Sequence, residues 1–422
     1  MVVIVLSGEQ ALAIVGGGAS GLMAALSAAI QSRERGANFP VVLLEKGPRV
    51  GKKLLATGNG RCNLSNLKAS SKGYHGDPGF CQAATTTFSP PATIDFFENL
   101  GLVCRVEGND LVYPYCEQAS AVLDCLRFAC QRMGVDIHCD CEVQSIQKQK
   151  RGFSLSTSTG FIHCGAVILS TGGMASPQLS SGEIGYRLAK SLGHRCTSLF
   201  PALAPIRTDP VCTRPLKGIR VKGAVSLVKK DTILRTERGE IQFSDGSLSG
   251  IAVMQLSRLV SFHQSTRLVL DLMPDYSQKQ VQSLLRRMQS LLRSEPAERL
   301  LTGFLNKRAG QTLVKQTVSL SRPIGSLSLD ELENIGRRIK AWEFPILGVG
   351  PWKNAQVTAG GLNTSQFCNR TMESRLVPGF YATGEVLDVD GDCGGFNLQW
   401  AWSSGYTAGY CAAQRLLGRK QI

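Results

Sequence analysis

A glycine-rich turn close to the start of the sequence constrains the fold more than any other segment. Residues 16–21 read Gly-Gly-Gly-Ala-Ser-Gly, which fits the pattern GxGxxG. They follow a short apolar run, 12–15, and precede a stretch rich in alanine and leucine, 20–30, that is typical of a helix. A second apolar run, 41–44, ends at Glu45. Strand, glycine turn, helix and second strand together predict a βαβ unit that binds a dinucleotide.

Each part of this unit has a physical role in holding a pyrophosphate. Gly16 permits the tight turn, Gly18 lets the backbone approach the phosphates, and Gly21 allows the helix to pack closely on the strand. The free N–H groups and the dipole of the helix stabilise the phosphate charge. We expect the carboxylate of Glu45 to accept hydrogen bonds from a ribose diol. The competing interpretation is a plain glycine turn followed by a surface glutamate.

Two further glycine turns favour FAD over NAD as the dinucleotide. Residues 167–173 read Val-Ile-Leu-Ser-Thr-Gly-Gly, and residues 381–385 read Tyr-Ala-Thr-Gly-Glu. Both resemble the additional turns of FAD-containing oxidoreductases of the glutathione-reductase-like type. The second turn of that group usually ends in an aspartate that binds the flavin ribitol, whereas this chain has Glu385. No second GxGxxG lies between a strand and a helix, so we expect no dedicated NAD(P)H domain.

Two longer strings identify a family. Residues 51–66 read GKKLLATGNGRCNLSN, and residues 391–405 read GDCGGFNLQWAWSSG. With the first glycine turn, and with 357–361 and 371–374, they closely resemble the BaiN/YhiN-type bacterial flavoproteins. These are NAD(P)/FAD-dependent oxidoreductases that include aminoacetone oxidase. The resemblance extends over essentially the whole chain.

The resemblance implies an α/β fold in which a Rossmann-like, glutathione-reductase-like FAD-binding domain is split by an insertion. We expect this domain to comprise residues 1–195 and 355–422. A β-barrel-like domain would comprise 196–274 and 341–354, and a helical subdomain 275–340. The sequence itself agrees, because prolines and short alternating stretches begin near Cys196 and glycine-rich motifs return at Val357.

The resemblance also implies non-covalent FAD bound by these motifs. The segment 394–398 opens a helix whose N–H groups could stabilise negative charge on the reduced ring, and Arg61 could add a fixed positive charge. The predicted FAD-binding residues are Gly16, Gly18, Ala19, Ser20, Gly21, Glu45, Lys46, Thr57, Gly58, Asn59, Arg61, Cys62, Asn63, Val143, Thr171, Gly172, Gly173, Gly384, Glu385, Gly394, Gly395, Phe396, Asn397 and Leu398.

The chain departs from the family pattern at two places. Asp245 stands where the family often has a histidine, and Leu111 where many members have an arginine. Both changes weaken any transfer of a substrate from one member. The catalytic acid is therefore left open, with Tyr113 and Asp245 as candidates. Cys62 and Cys393 lie within the flavin motifs, and a role in packing or loop shape competes with that of a redox thiol.

Bulk properties exclude several classes of protein. No apolar run approaches the ~18 residues that span a bilayer, and the first residues lack the basic region of a signal peptide. We therefore expect a cytoplasmic protein without a membrane partner. The 14 cysteines contain no CxxC pair, and the 5 histidines form no metal pattern, so we expect free thiols and no metal site.

The chain is strongly basic. It has 47 Lys and Arg against 32 Asp and Glu, a net charge of +15. Residues 275–340, which we expect to be helical, hold 12 basic and 6 acidic side chains, or +6. A solvated face is the simpler interpretation of this segment. The alternative is that it guides an anionic substrate or binds nucleic acid, although no RNA-binding motif is recognisable and nucleic acid is not the expected partner.

These observations predict an FAD-dependent oxidoreductase that transfers hydride between FAD and a small organic substrate. A steroid or bile-acid enone is the first candidate, with diffusible NADH or NADPH as the reductant. Three alternatives stay open: an amine oxidase of the aminoacetone oxidase type that uses oxygen, a basic flavoprotein that acts on tRNA, and a flavin-binding protein without turnover. The oligomeric state is left open.

Overall fold

The computed structural model describes residues 6–69, 71–179 and 182–418, and the chain divides into two compact units. The split unit combines residues 1–200 with 357–422, and the inserted unit comprises 201–356. Of the helices that the structure describes, none is both long enough and apolar enough to cross a bilayer.

The first segment of the split unit alternates between strands and helices. Its strands are β1 (Leu6–Val15), β2 (Val41–Leu44), β3 (Ser65–Asn66), β4 (Tyr74–Gly76), β5 (Cys104–Glu107), β6 (Leu111–Pro114), β7 (Asp136–His138), β8 (Val143–Lys148), β9 (Phe153–Thr157) and β10 (Gly160–Leu169). Its helices are α1 (Ala19–Glu34), α2 (Lys52–Leu55), α3 (Pro78–Thr87), α4 (Pro90–Asn99), α5 (Ala119–Arg132) and α6 (Ile184–Ser191).

The inserted unit is a closed barrel with helices. Strand β11 (Phe200–Ala202) leads into it. Its further strands are β12 (Ile206–Thr208), β13 (Arg220–Lys229), β14 (Thr232–Ser244), β15 (Ser247–Ser249), β16 (Thr266–Asp271) and β17 (Trp342–Val349), and its helices are α7 (Pro210–Thr213), α8 (Ile251–Phe262), α9 (Gln278–Leu291), α10 (Lys307–Lys315) and α11 (Leu329–Lys340). The barrel closes in the order β12-β15-β14-β13-β16-β17. Phe243, Trp342 and Phe344 pack together in its core.

The last segment returns to the split unit. It adds β18 (Val357–Ala359), β19 (Phe380–Ala382), β20 (Val389–Gly391) and α12 (Phe396–Leu416). Strand β19 joins the main sheet, β20 pairs with β4, and α12 packs along α1. The predicted fold class, a Rossmann-like α/β domain with a barrel and helices inserted, is confirmed.

The main sheet determines where the glycine turns lie. Its order is β7-β2-β1-β10-β9-β8, with β19 paired to β10. Strands β2, β1, β10 and β19 run parallel to one another. The residues of β2, like the last four of β1, are all buried, as expected for a parallel strand covered on both faces. Because the carboxyl ends of parallel strands share one edge, the turns after β1, β10 and β19 lie at that edge.

Some predicted elements have different limits in the structure. The sequence predicts a helix from Gln178 to Leu192, whereas in the structure the helix in this range is α6, which begins only at Ile184. Gly182 has a φ of 64°, which interrupts a right-handed helix at this point, and residues 180 and 181 lie outside the described part of the chain. The helical stretch expected over 275–340 is three helices, α9 to α11, separated by segments that contain Pro296 and Pro323.

A buried polar residue joins distant parts of the split unit. The amide nitrogen of Gln399 on α12 donates to Phe88 O (3.0 Å), Thr93 Oγ1 (2.9 Å) and Ser403 Oγ (2.9 Å). Its amide oxygen accepts a hydrogen bond of 2.5 Å from Ser65 Oγ on β3. Gln399 is completely buried, so these partners cannot be replaced by water.

We expect Gln399→Leu to lower the free energy of unfolding by about 2–4 kcal/mol, because it leaves the buried hydroxyls of Ser65 and Thr93 without this partner. Urea unfolding followed by fluorescence measures the change. The exposed Gln131→Leu in α5 serves as the control. A loss below about 1 kcal/mol would contradict the central role of Gln399.

Candidate functional site

A cleft at the carboxyl edge of the main sheet brings together residues from four separate motifs. It is lined by Gly16, Lys46, Val143 and Thr171, together with Val15, Leu44, Cys141, Glu142, Ile184 and Leu188. The hydroxyl of Thr171 is buried here, and no group in the described part of the chain forms a hydrogen bond with it. The oxygen faces α6, since a methyl group added at Gly185 would lie 1.9 Å from it, so this hydroxyl is enclosed by protein.

Within the first glycine turn, Gly18 has free space beside it, whereas Gly21 packs tightly against the backbone of the turn. A methyl group added at Gly18 would meet no atom within 4 Å, whereas one added at Gly21 would lie 1.9 Å from the carbonyl oxygen of Gly16. Gly18 caps α1 without a side-chain hydrogen bond, and the first turn, which begins with Ala19 and Ser20, contains no acidic residue. The free N–H groups at this helix start therefore suit an anionic phosphate.

The carboxylate of Glu45 is fixed beside this turn. Its two oxygens accept hydrogen bonds from the backbone N–H groups of Gly17 (2.9 Å) and Gly47 (2.8 Å). A carboxylate has about four acceptor positions, so these two bonds leave capacity for the hydroxyls of a ribose. This arrangement fits the role that the sequence predicts for Glu45.

The other two glycine turns adjoin the first. A methyl group added at Gly384 would lie 2.8 Å from the Ser20 hydroxyl oxygen, and one added at Gly173 would lie 2.4 Å from Thr358 Oγ1. Thr358 Oγ1 in turn accepts from the N–H groups of Met174 (2.8 Å) and Ala175 (3.0 Å). At Gly172, with φ 72°, the Cα faces open space. The structure therefore assembles all three turns around one edge.

Glu385 has protein partners of its own. One of its oxygens accepts from the N–H group of Thr358 (2.9 Å), and the other forms an ion pair of 2.6 Å with Lys53 Nζ. Both side chains are largely buried. The longer acid thus links the third glycine turn to the string 51–66. The sequence gives no signal for this pair, because 332 residues separate the two side chains.

The two strings that indicate the family lie against each other. Asn66 Nδ2 donates to Gly394 O (2.9 Å), and Trp402 Nε1 donates to Leu64 O (2.9 Å). Gly395 caps α12 at φ 95°, with no side-chain cap and no acid in the first turn. The start of α12 therefore offers free N–H groups to negative charge, as predicted for segment 394–398.

Not every predicted side chain of this second string is available to a ligand. The amide of Asn397 binds the backbone of Gly391 through both its oxygen and its nitrogen, each at 2.8 Å. The ring of Phe396 packs on Tyr74 at 5.6 Å, and Leu398 packs on the core. The side chains of Phe396, Asn397 and Leu398 therefore interact with other parts of the protein.

The loop that contains Thr57 and Asn63 has an unusual backbone. Gly58, Asn59 and Gly60 adopt positive φ of 57°, 56° and 86°, and Cys62 does so at 58°. Non-glycine residues at positive φ are strained and concentrate at functional sites. This strain supports the prediction that the loop shapes a binding surface.

Arg61 is held by a cluster of charges. It forms ion pairs with Glu107 (2.9 Å) and Glu117 (2.8 Å), and Arg105 pairs with the same two glutamates. The Arg61 guanidinium lies 4.4 Å from the ring centroid of Tyr113. The two positive charges of the arginines and the two negative charges of the glutamates largely cancel, so Arg61 is not an isolated positive charge. Sequence reasoning missed Arg105, Glu107 and Glu117, although the alternation of Arg105 and Glu107 along β5 was a usable signal.

The two candidate acids belong to different units. Tyr113 lies on β6 of the split unit and is 9% exposed. Asp245 lies between β14 and β15 of the inserted unit, with 44% of its side chain exposed, and its carboxylate faces Arg214 at 3.7 Å and Lys217 at 3.9 Å. Tyr113 is therefore the candidate that the structure brings to the flavin motifs.

The two motif cysteines lie in poor environments for a thiolate. Cys62 is completely buried, and burial raises its pKa to about 12. Burial also raises the pKa of Cys393. Both are thiols at neutral pH, which supports a role in packing or loop shape over a redox role.

A split Rossmann-type unit with three glycine turns at one sheet edge defines a dinucleotide-binding protein. The family described as "HI0933-like protein Rossmann domain" matches residues 10–411, and the chain belongs to this family. The prediction of a BaiN/YhiN-type oxidoreductase is thereby confirmed.

Characterised relatives extend over the whole chain. A 3-dehydro-bile acid delta(4,6)-reductase of Clostridium scindens is 35% identical over 414 residues, which cover 96% of this chain and 99% of the relative. The ribosomal RNA dihydrouridine synthase of Escherichia coli is 28% identical over 413 residues, covering 96% and 98%. That of Haemophilus influenzae is 28% identical over 403 residues, covering 93% and 96%.

We expect Glu45→Ala to weaken FAD binding by about 10- to 100-fold, because hydrogen bonds to a charged acceptor are lost. Isothermal titration of the apoprotein with FAD measures the dissociation constant. Glu98→Ala, an exposed acid on α4, is the control. An unchanged affinity for FAD in folded Glu45→Ala protein would show that Glu45 does not hold the ribose.

Proposed function

We propose that this chain is an FAD-dependent reductase that adds hydride to a carbon–carbon double bond conjugated with a carbonyl group. The observation that carries the proposal is the assembly of three glycine turns and both flavin strings in one unit. The reactions named for the relatives share this chemistry. A 3-dehydro-bile acid with delta(4,6) unsaturation is a conjugated dienone, and the uracil bond that dihydrouridine lacks is conjugated with a ring carbonyl.

Each group of residues has a role in this proposal. Gly16, Gly18 and the start of α1 hold the pyrophosphate, Glu45 holds the ribose, and the cleft beside Val143 holds the adenine. The loop 57–63 and the start of α12 hold the flavin ring. The bound flavin supplies the capacity to accept and donate hydride. The N–H groups that begin α12 stabilise the negative charge of the reduced ring.

The reductant is a diffusible nicotinamide cofactor in this proposal. The absence of a second GxGxxG between a strand and a helix supports transient binding over a dedicated domain. An enzyme of the aminoacetone oxidase type would instead pass electrons from substrate to oxygen. The two schemes differ in the compound that reduces the flavin.

A steroid-like enone is the first candidate substrate. The bile-acid reductase is the relative with the higher identity, at 35% against 28%. Leu111 also supports an apolar substrate, because it replaces the family arginine and lies beside Gly394. A methyl group added at Gly394 would be 3.2 Å from Leu111 Cδ2.

Anaerobic stopped-flow spectroscopy tests the reaction. We expect NADH or NADPH to bleach the flavin, and a 3-keto-delta(4,6) bile acid to restore its absorption with formation of the saturated product. Aminoacetone added to the oxidised enzyme is the comparison. Bleaching by aminoacetone, followed by reoxidation with oxygen alone, would replace the reductase with an oxidase.

RNA is a second candidate substrate, and the distribution of positive charge in the chain favours it. Residues 201–356 hold 24 Lys and Arg against 13 Asp and Glu, a net charge of +11 out of +15 for the chain. On α9, Lys279, Arg286 and Arg287 are exposed, and within the described residues they have no acidic partner. Such a face suits a phosphate backbone.

If RNA is the substrate, we expect Lys279→Gln/Arg286→Gln/Arg287→Gln to reduce the slope of log affinity against log salt by about 2. Filter binding of a ribosomal RNA fragment at several salt concentrations measures this slope. Arg299→Gln is the matched control, since Arg299 is already paired with Glu295. Wild-type protein that does not bind the fragment at low salt would eliminate RNA.

A further inference from the structure

One face of a small sheet meets both flavin strings. Strand β6 pairs with β3 and β5, and Leu111 and Tyr113 alternate onto the same face of β6. Leu111 lies beside Gly394, as described above. Tyr113 lies beside the other string, because a methyl group added at Gly58 would be 3.6 Å from Tyr113 Cε1. This face is therefore a wall of the site where the two strings converge.

The hydroxyl of Tyr113 is available to a ligand. Tyr113 is only 9% exposed, yet within the described residues no group forms a hydrogen bond with its hydroxyl. By contrast, the hydroxyl of Tyr74 donates to Phe396 O at 2.9 Å. The hydroxyls of Tyr186 and Tyr381 are sealed in the interior, whereas that of Tyr113 is not. A largely buried tyrosine hydroxyl normally has a partner, so this one suits a bound molecule.

Arg61 fixes the ring of Tyr113 and supports its chemistry. The guanidinium lies over the ring at 4.4 Å and is itself held by Glu107 and Glu117. Burial raises the pKa of Tyr113, and the charge of Arg61 opposes that rise. Glu107 adds to the rise in pKa, so the phenol is protonated at neutral pH, and Arg61 reduces the cost of the phenolate left after a proton departs without outweighing these opposing effects.

We propose that Tyr113 is the proton donor of the reductase reaction, with Arg61 as its positioning residue; this assignment rests on the proposed function. A bound reduced flavin would supply the hydride that forms the C–H bond at the β-carbon of the substrate, and the π electrons of the substrate would move to the carbonyl oxygen as an enolate. The O–H bond of Tyr113 then breaks, and its proton forms the C–H bond at the α-carbon. The substrate would gain the two electrons of the hydride together with the proton of Tyr113, and a proton from solvent water would restore the phenol.

Other acids around the site are less suitable. Cys62 is sealed from solvent. His75, which lies near the string 391–405, directs its Nε2 to Asp392 at 2.8 Å. Asp245 belongs to the inserted unit and faces two basic side chains. Of these side chains, Tyr113 alone combines contact with loop 57–63 and an accessible, unpartnered donor.

Tyr113→Phe tests the assignment, with Tyr115→Phe as the matched control because Tyr115 is 66% exposed. Both proteins are reduced without oxygen and mixed with a 3-keto-delta(4,6) bile acid in D₂O. We expect reoxidation of the Tyr113→Phe flavin to slow by about 100-fold or more. Deuterium should enter the α-carbon on one face in wild type and Tyr115→Phe, but on both faces in Tyr113→Phe, where water supplies the proton.

Measurements on the flavin separate a chemical role from a structural one. We expect the FAD dissociation constant, the oxidised flavin spectrum and the rate of reduction by nicotinamide to be unchanged in Tyr113→Phe. Difluorotyrosine incorporated at position 113 provides a second, nearly isosteric variant. Because its phenol is more acidic, the fall in rate at alkaline pH should move to lower pH.

Two results overturn the assignment in different ways. If Tyr113→Phe is reoxidised within about threefold of wild type, or labels one face only, Tyr113 is not the donor while the reductase function stands. An unmoved alkaline limb in the difluorotyrosine variant has the same meaning. If no conjugated enone reoxidises wild-type flavin, the proposed function fails, and the assignment of Tyr113 fails with it.

Discussion

The parallel pairing of β2, β1, β10 and β19 is the constraint on which the site depends. Parallel strands present their carboxyl ends at one edge, so a turn that follows any of them lies near the turns that follow the others. The ladder therefore brings residue 16 beside residue 171 and residue 384 beside residue 20 without any contact between neighbours in sequence. Glu45 occupies the same edge because it follows β2. The backbone hydrogen bonds of the sheet therefore bring together three turns that are distant in sequence.

The sequence was sufficient for the parts of this protein that depend on local patterns. Hydrophobic runs that stop at glycines predict the βαβ unit, and the change of composition near Cys196 predicts an insertion that the structure contains as a barrel. The helix predicted over 178–192 is too long, because apolar spacing does not reveal that Gly182 has a positive φ. At such a glycine, the backbone conformation determines where the helix begins.

The parts that could not be predicted depend on pairs of residues distant in sequence. The Lys53–Glu385 ion pair and the four hydrogen bonds of Gln399 involve partners that no spacing rule connects. Arg61 is an example of how such neighbours change the chemical role of a residue. In the sequence it is a cation within a flavin motif, but in the structure two glutamates and a tyrosine ring determine what its charge can do. The role of a charged residue depends on its neighbours, and those are supplied by tertiary structure.

Because the split unit is interrupted in sequence, some of its paired strands and helices are translated far apart in time. Strand β10 pairs with β19, and α1 packs against α12. In each pair the second element is translated only after residues 201–356. At 5–20 residues per second, translation of residues 201–356 alone takes roughly ten to thirty seconds, and throughout this time the sheet lacks a strand and α1 lacks its cover. During this interval the nascent chain exposes an open strand edge that can pair with other chains. The order of synthesis therefore leaves the β19 side of β10 and the α12 side of α1 uncovered until the chain beyond residue 356 has been made.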